Sequence, residues 1–129
     1  MITATRQGEP YGVQLTNGRC LVSSDTQKGG KGGRAGMRPH ELLESALAAC
    51  IRMSIDMSAE RAGATLPAVT VKVTIDRQDH ETAFDVSLHF STAPSPAHES
   101  LAREAVRASP VAQTLGKPIA IRPAAIVIP

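Results

Sequence analysis

Apolar and polar residues alternate strictly through Val69-Thr70-Val71-Lys72-Val73-Thr74-Ile75, and again through Ala83-Phe84-Asp85-Val86-Ser87-Leu88-His89-Phe90. Such alternation places one face on a core and the other in water. With the polar turn Asp76-Arg77-Gln78-Asp79-His80-Glu81 between the two runs, it predicts an antiparallel hairpin. From Pro39 to Ala62 the pattern becomes almost continuously apolar or small: Leu42, Leu43, Ala46, Leu47, Ala49, Cys50, Ile51, Met53, Ile55 and Met57. Proline is favoured at the first helical position and glycine just past the last. Pro39 and Gly63 therefore bracket a helix of about 24 residues, roughly 36 Å long. Glu44, Arg52, Asp56 and Glu60 share spacings of four or eight and form its polar stripe. A helix with so thin a wet face is expected to be central and packed on most sides.

The remaining elements are shorter. Tyr11-Gly12-Val13-Gln14-Leu15 and Arg19-Cys20-Leu21-Val22-Ser23 flank Thr16-Asn17-Gly18, and Asn-Gly is the strongest short hairpin signal. Residues 1–24 thus read as two or three short strands. Residues 25–38 read as a glycine-rich loop with no element of its own. Ser95-Pro96 is an N-cap followed by proline, opening a helix to about Arg107. Ser109-Pro110 repeats the signature for a short helix that Gly116 stops. The tail from Ile119 to Ile128 is predicted to close as a strand, which Pro123 confines to an edge or a bulge. The class is α+β, and 129 residues make one domain, 1–129.

Composition changes this picture in one respect. The chain is 2% aromatic, with no Trp, one Tyr and two Phe, so its core is built from small aliphatic residues that bury less area each. Burial against a second copy would compensate, which favours an obligate homodimer. Charge argues against a nucleic-acid partner. The net charge is +2, and although Lys28, Lys31, Arg34 and Arg38 concentrate basicity in the glycine loop, no aromatic platform accompanies them. Gly29-Gly30-Lys31-Gly32-Gly33-Arg34 lacks the Gly-Lys-Ser/Thr ending of a P-loop. No apolar stretch reaches the roughly 18 residues of a membrane span, and Met1 to Arg6 lack the apolar core of a signal peptide. Two distant cysteines make no disulfide framework, so a reduced, cytoplasmic protein is expected. His40, His80, His89 and His98 have no metal-ligand spacing, and neither a metal nor a cofactor is expected.

The candidate chemistry centres on Cys50. A free cysteine on the apolar side of a helix is ordinarily a small core residue whose pKa burial raises. Mid-helix, it gains nothing from its own helix dipole, and it becomes a nucleophile only if a cation from elsewhere reaches it. The basic loop could supply one. Glu41, in the first helical turn, either favours the positive helix end or orients an arginine across the thiol. Cys20 is expected to be a half-buried strand residue.

Pro39-His40-Glu41-Leu42-Leu43, leading through Ala46-Leu47-Ala48-Ala49 to Cys50, resembles the central helix of the OsmC/Ohr family, the osmotically inducible and organic hydroperoxide resistance proteins. That family's second motif, typically Cys-Pro-Val-Ser-x-x-Leu, is similar to Ser109-Pro110-Val111-Ala112-Gln113-Thr114-Leu115. The resemblance implies an intertwined dimer, with a long central helix packed against antiparallel sheets and active sites at the subunit interface. It further implies a peroxidatic thiolate at Cys50, held by an arginine that Glu41 orients. Arg34 is the first choice for that arginine, with Arg19, Arg6 and Arg38 open. Three departures qualify it: serine at the resolving position 109, histidine at position 40 where many members carry glutamate, and poor alignment of the arginine region. The expected activity is reduction of small apolar organic hydroperoxides through Cys50 alone. An external thiol or dithiol would then clear the sulfenic acid. The rival expectation is a scaffold or small-ligand carrier in which Cys50 is inert.

Overall fold

Asn17 and Gly18 form the turn between the second and third strands of the chain: the Asn17 side-chain oxygen accepts the backbone N–H of Arg19 at 2.9 Å and of Cys20 at 2.8 Å. The computed structural model describes all residues, Met1–Pro129. Around that turn β1 (Thr3–Arg6), β2 (Val13–Thr16) and β3 (Leu21–Ser24) form one antiparallel sheet in the order β1-β2-β3. Thr16 pairs with Leu21 and Val13 with Ser24. Cys20 belongs to the turn and is exposed, not a half-buried strand residue. The turn simply needs four residues where three were allotted.

The glycine-rich segment carries an element after all. β4 (Gln27–Lys28) and β5 (Lys31–Gly32) pair across Gly29 and Gly30, whose φ values are 59° and 76°. Two consecutive positive φ angles are what a two-residue hairpin turn requires, and glycine adopts them without steric cost. Asp25, 7% exposed, organises this segment from within. Its carboxylate accepts the N–H groups of Thr26 at 2.8 Å, Gly33 at 3.3 Å and Ala35 at 3.1 Å. Those bonds, the one from Ala35 foremost, hold its pKa below the usual aspartate value. Next to it, Ser24 Oγ donates to the Met37 carbonyl at 2.6 Å, and Asp25 N donates to the same oxygen at 3.2 Å. The residue before Arg38 is thereby tied to the end of β3.

Helix α1 runs Pro39–Ala62, the span bracketed by its end signals. Gly63 takes φ 63° just past it. Its packing differs from expectation. Leu47, Ile51 and Ile55 form the buried stripe, whereas Leu43, Met53 and Met57 are 43%, 58% and 50% exposed. Within the single chain the helix is covered on one side only. Glu44 also leaves the polar stripe: at helical spacing it falls beside Leu47 and Ile51, where its carboxylate accepts the Ile75 backbone N–H at 2.8 Å.

Strands β6 (Val69–Arg77) and β7 (Thr82–Phe90) form the hairpin, bounded by bonds from Gln78 N to Glu81 O and from Ser91 N to Ala68 O. Val69, Val71, Val73 and Ile75 are turned inward, with Phe84, Val86, Leu88 and Phe90 opposite. Helix α2 (Pro96–Ala108) opens on Ser95, whose hydroxyl accepts the His98 N–H at 3.1 Å. Helix α3 (Pro110–Leu115) follows and stops at Gly116.

No strand forms beyond it. Residues 117–129 lack regular structure, with Ile121 94% and Val127 89% exposed. A strand needs a partner for its backbone N–H and C=O groups, and the single chain provides none there. Contacts group the chain into two units, Met1–Ala48 with Lys72–Ser87, and Ala49–Val71 with Leu88–Pro129. Cys50 and the C-terminal helices lie in the second.

Candidate active site

One turn along α1 from Cys50 stands Ser54, and 61 positions along the chain stands the start of α3. Both reach the thiol. The Val111 backbone N–H donates to Cys50 Sγ at 3.5 Å. It is an orphan donor of the first helical turn, and a helix start carries partial positive charge. Cys50 itself is half-buried. Its pKa is lowered from the ordinary thiol value of 9.0. The Ser109 side chain is the largest cause, opposed by desolvation and reinforced by the Val111 N–H and the Ser54 hydroxyl. Hydrogen-bond donors around the sulfur thus favour its charged form against the desolvation that opposes it. Burial was expected to raise this pKa; here it is outweighed by hydrogen-bond donors, one of them the single Val111 N–H.

Ser109 is fully buried, and its Oγ has no hydrogen-bond partner. Two residues on, the Val111 N–H donates to the Cys50 sulfur, so the hydroxyl lies in the neighbourhood of the thiol. A neutral thiol sulfur is a weak acceptor; a charged one is a strong acceptor. Ser109 stands at the cap position of α3 but makes no side-chain capping bond, contrary to its signature in the chain. Only its backbone serves the helix, with its carbonyl accepting the Gln113 N–H at 2.9 Å.

At the start of α1, Glu41 Oε1 accepts both the backbone N–H of Arg38 at 3.0 Å and its side-chain Nε at 3.3 Å. These bonds, the backbone one first, hold Glu41 below its ordinary pKa. One carboxylate thus closes the helix start and orients an arginine. The arginine that Glu41 holds is Arg38, itself exposed. Arg34, Arg6 and Arg19 are exposed and make no ion pair. Thr26, Gln27, Gly33, Arg34, Gly36, Met37, Arg38 and Glu41 line a hollow of about 600 Å³. His40 is exposed on the first turn. No three His, Cys, Asp or Glu side chains converge as a metal site requires. No helix is long and apolar enough to cross a membrane.

Ser54 was legible as the i+4 neighbour of Cys50 on one helix. The Val111 N–H was not, because nothing local in either segment announces the other.

A helix-borne thiol met by the start of a second helix, on an α+β framework of antiparallel sheets and one long helix, defines a thiol-site protein of OsmC-like fold. The profile of the OsmC-like protein family matches residues 29–123, and the chain belongs to that family. Among solved structures it is similar to a protein of Psychrobacter arcticus 273-4 assigned to the osmotic stress and detoxification response (TM-score 0.72, 17% identity, 88% of this chain and 85% of that one). It is also similar to an OsmC-like protein of Mycoplasma pneumoniae (0.69, 18%, 89% and 85%). The organic hydroperoxide resistance protein OhrB of Bacillus subtilis matches with a TM-score of 0.63 at 14% identity, over 90% and 89% of the two chains. No curated protein matches the sequence.

Proposed function

We propose that this chain is a one-cysteine peroxidase that reduces small apolar organic hydroperoxides in a reducing, cytoplasmic setting. The observation that carries it is the Cys50 thiol, half-buried yet drawn towards thiolate by donors of its own unit. The thiolate attacks the terminal oxygen of the hydroperoxide. The S–O bond forms as the O–O bond breaks, and the alkoxide leaves and takes a proton, giving the alcohol and a sulfenic acid. An external thiol then displaces water to form a mixed disulfide, and a second thiol releases Cys50. One hydroperoxide and two thiols become alcohol, disulfide and water.

The active form in this proposal is a homodimer of single-domain chains. Leu43, Ala46, Cys50, Met53 and Met57 recur at three- and four-residue spacing and so share one face of α1, and that face is largely exposed in the single chain. A second copy would cover it and enclose the thiol in Leu and Met, favouring apolar peroxides. Glu41 lies nine positions before Cys50, about 13.5 Å of helical rise. The Arg38–Glu41 pair is therefore assigned to the Cys50 of the other copy, as the cation that completes the site. For the rival reading, an inert core cysteine, alkylation of Cys50 should titrate at or above the ordinary thiol range.

With cumene hydroperoxide and a small thiol, the wild-type chain should consume peroxide and Cys50→Ser should not. Equal turnover by the variant would discard the proposal.

A further inference from the structure

We propose that Ser109 Oγ is the hydrogen-bond donor that receives the negative charge on Cys50 Sγ, so that a serine at the resolving position serves the thiolate directly. The inference rests on the one-cysteine reading above and adds to it the buried, unpartnered Ser109 hydroxyl.

A buried hydroxyl with no partner is costly, because it loses its bonds to water and gains none in return. Ser109 Oγ is such a group: the residue is 0% exposed and its oxygen is unpartnered. Capping α3 would have been the ordinary use for it, and no capping bond is made. Its nearest available acceptor chemistry is the Cys50 sulfur, which already takes the N–H of Val111, two residues further on, at 3.5 Å. Ser109 and Val111 stand in one turn of chain: the first holds a buried hydroxyl without a partner, and the second donates to Cys50 Sγ. Neither has a strong acceptor while the thiol is protonated, and both gain one when the proton leaves.

The cost of the unpaired hydroxyl in the resting state becomes preference for the charged state. The arrangement also explains how position 109 remains useful without sulfur. A hydroxyl cannot form the disulfide, but it can hold the nucleophile ionised until an external thiol arrives.

The test uses the full chain with Cys20→Ser, which removes the other thiol at an exposed turn. Iodoacetamide alkylation of Cys50 is followed against pH. Ser109→Ala should move the midpoint upward and slow alkylation at neutral pH by about tenfold, the scale of a hydrogen bond to a charged acceptor. Its melting temperature should hold or rise, since an unpaired buried polar group has been removed. An unchanged midpoint overturns the proposal, whether or not the melting temperature falls. Should the alanine variant not fold, Ser109→Thr, which keeps the hydroxyl, is read alone: a midpoint like the wild type supports the assignment and a raised one overturns it. No peroxide enters this measurement. A chain with the Ser109 dependence but no hydroperoxide turnover loses the peroxidase reading and keeps this one. Turnover without the dependence does the reverse.

Discussion

Cys50 Sγ accepts the Val111 N–H at 3.5 Å, two residues from position 109, and that neighbourhood can be converted into chemistry. Ser109→Cys should restore a two-thiol cycle. In a Cys20→Ser background, one equivalent of organic hydroperoxide should remove both remaining thiols and form one intramolecular disulfide per chain, read by thiol titration and intact mass. Retention of a free thiol at position 109 would mean the geometry falls outside the disulfide range. The lowered thiol pKa also predicts a pH dependence of stability. Between the native pKa and the ordinary value of 9.0, the unfolded chain binds more protons at Cys50 than the native chain. Stability must therefore rise with pH across that window relative to Cys50→Ser. Denaturant melts of the two proteins at pH 6, 8 and 9 (roughly spanning the thiol range) should diverge in favour of the wild type. Parallel curves would show that Cys50 has an unshifted pKa.

At the scale of elements, the segment between β3 and α1 is where small groups control position. Gly36 passes so close to β3 that an added Cβ would lie 2.0 Å from the Ser23 carbonyl oxygen. Gly36→Ala should therefore push the chain off β3, break the Ser24–Met37 tie and displace Arg38. The stability cost is about 1–3 kcal/mol, typical of overpacking, measurable by chemical denaturation. Asp25 is the second control. Its pKa is depressed by the N–H groups it accepts. Its stabilisation is present above the ordinary 3.8 and is lost as pH falls through the lower native value. Asp25→Ala should speed hydrogen exchange at Gly33 and Ala35 at neutral pH, and unchanged exchange would deny Asp25 its organising role. These elements also mark the limits of local reading. The ends of α1 were legible because Pro39 and Gly63 act within their own turn. The β4–β5 hairpin was missed because its glycines were read as the absence of structure rather than as the two positive φ angles a tight turn needs.

For the molecule as a whole, the question is what covers the open face of α1 and the tail. Both are apolar and exposed, and the dimer proposed above would bury the first. Met53→Glu places a charge at the centre of the seam beside Cys50. Two such charges in a symmetric interface should weaken self-association by about tenfold or more, seen as a shift towards monomer in sedimentation velocity. Peroxide turnover should fall with it, because the Arg38–Glu41 pair is assigned to the other copy. A fully dimeric variant would place the interface elsewhere. The same exposed residues explain why no closing strand forms: the apolar run from Ile119 to Ile128 describes a segment able to pair, and pairing requires a neighbour the single chain lacks.

The sequence by itself determined whatever depends on neighbours a few residues away: the bounds of α1, the β6–β7 hairpin with its inward and outward faces, the start of α2, and the paired motifs that point to Cys50. Tertiary structure decided what depends on residues far apart in the chain. It turned Glu44 from a surface stripe to the Ile75 N–H, chose Arg38 as the arginine held by Glu41, and covered only one face of α1. It also brought Ser109 and the Val111 N–H to a sulfur 61 positions from the latter. Periodicity reports which side chains share a face, but not which face meets a partner. A pKa belongs to the groups surrounding an atom in space, and for Cys50 most of those groups arrive with α3.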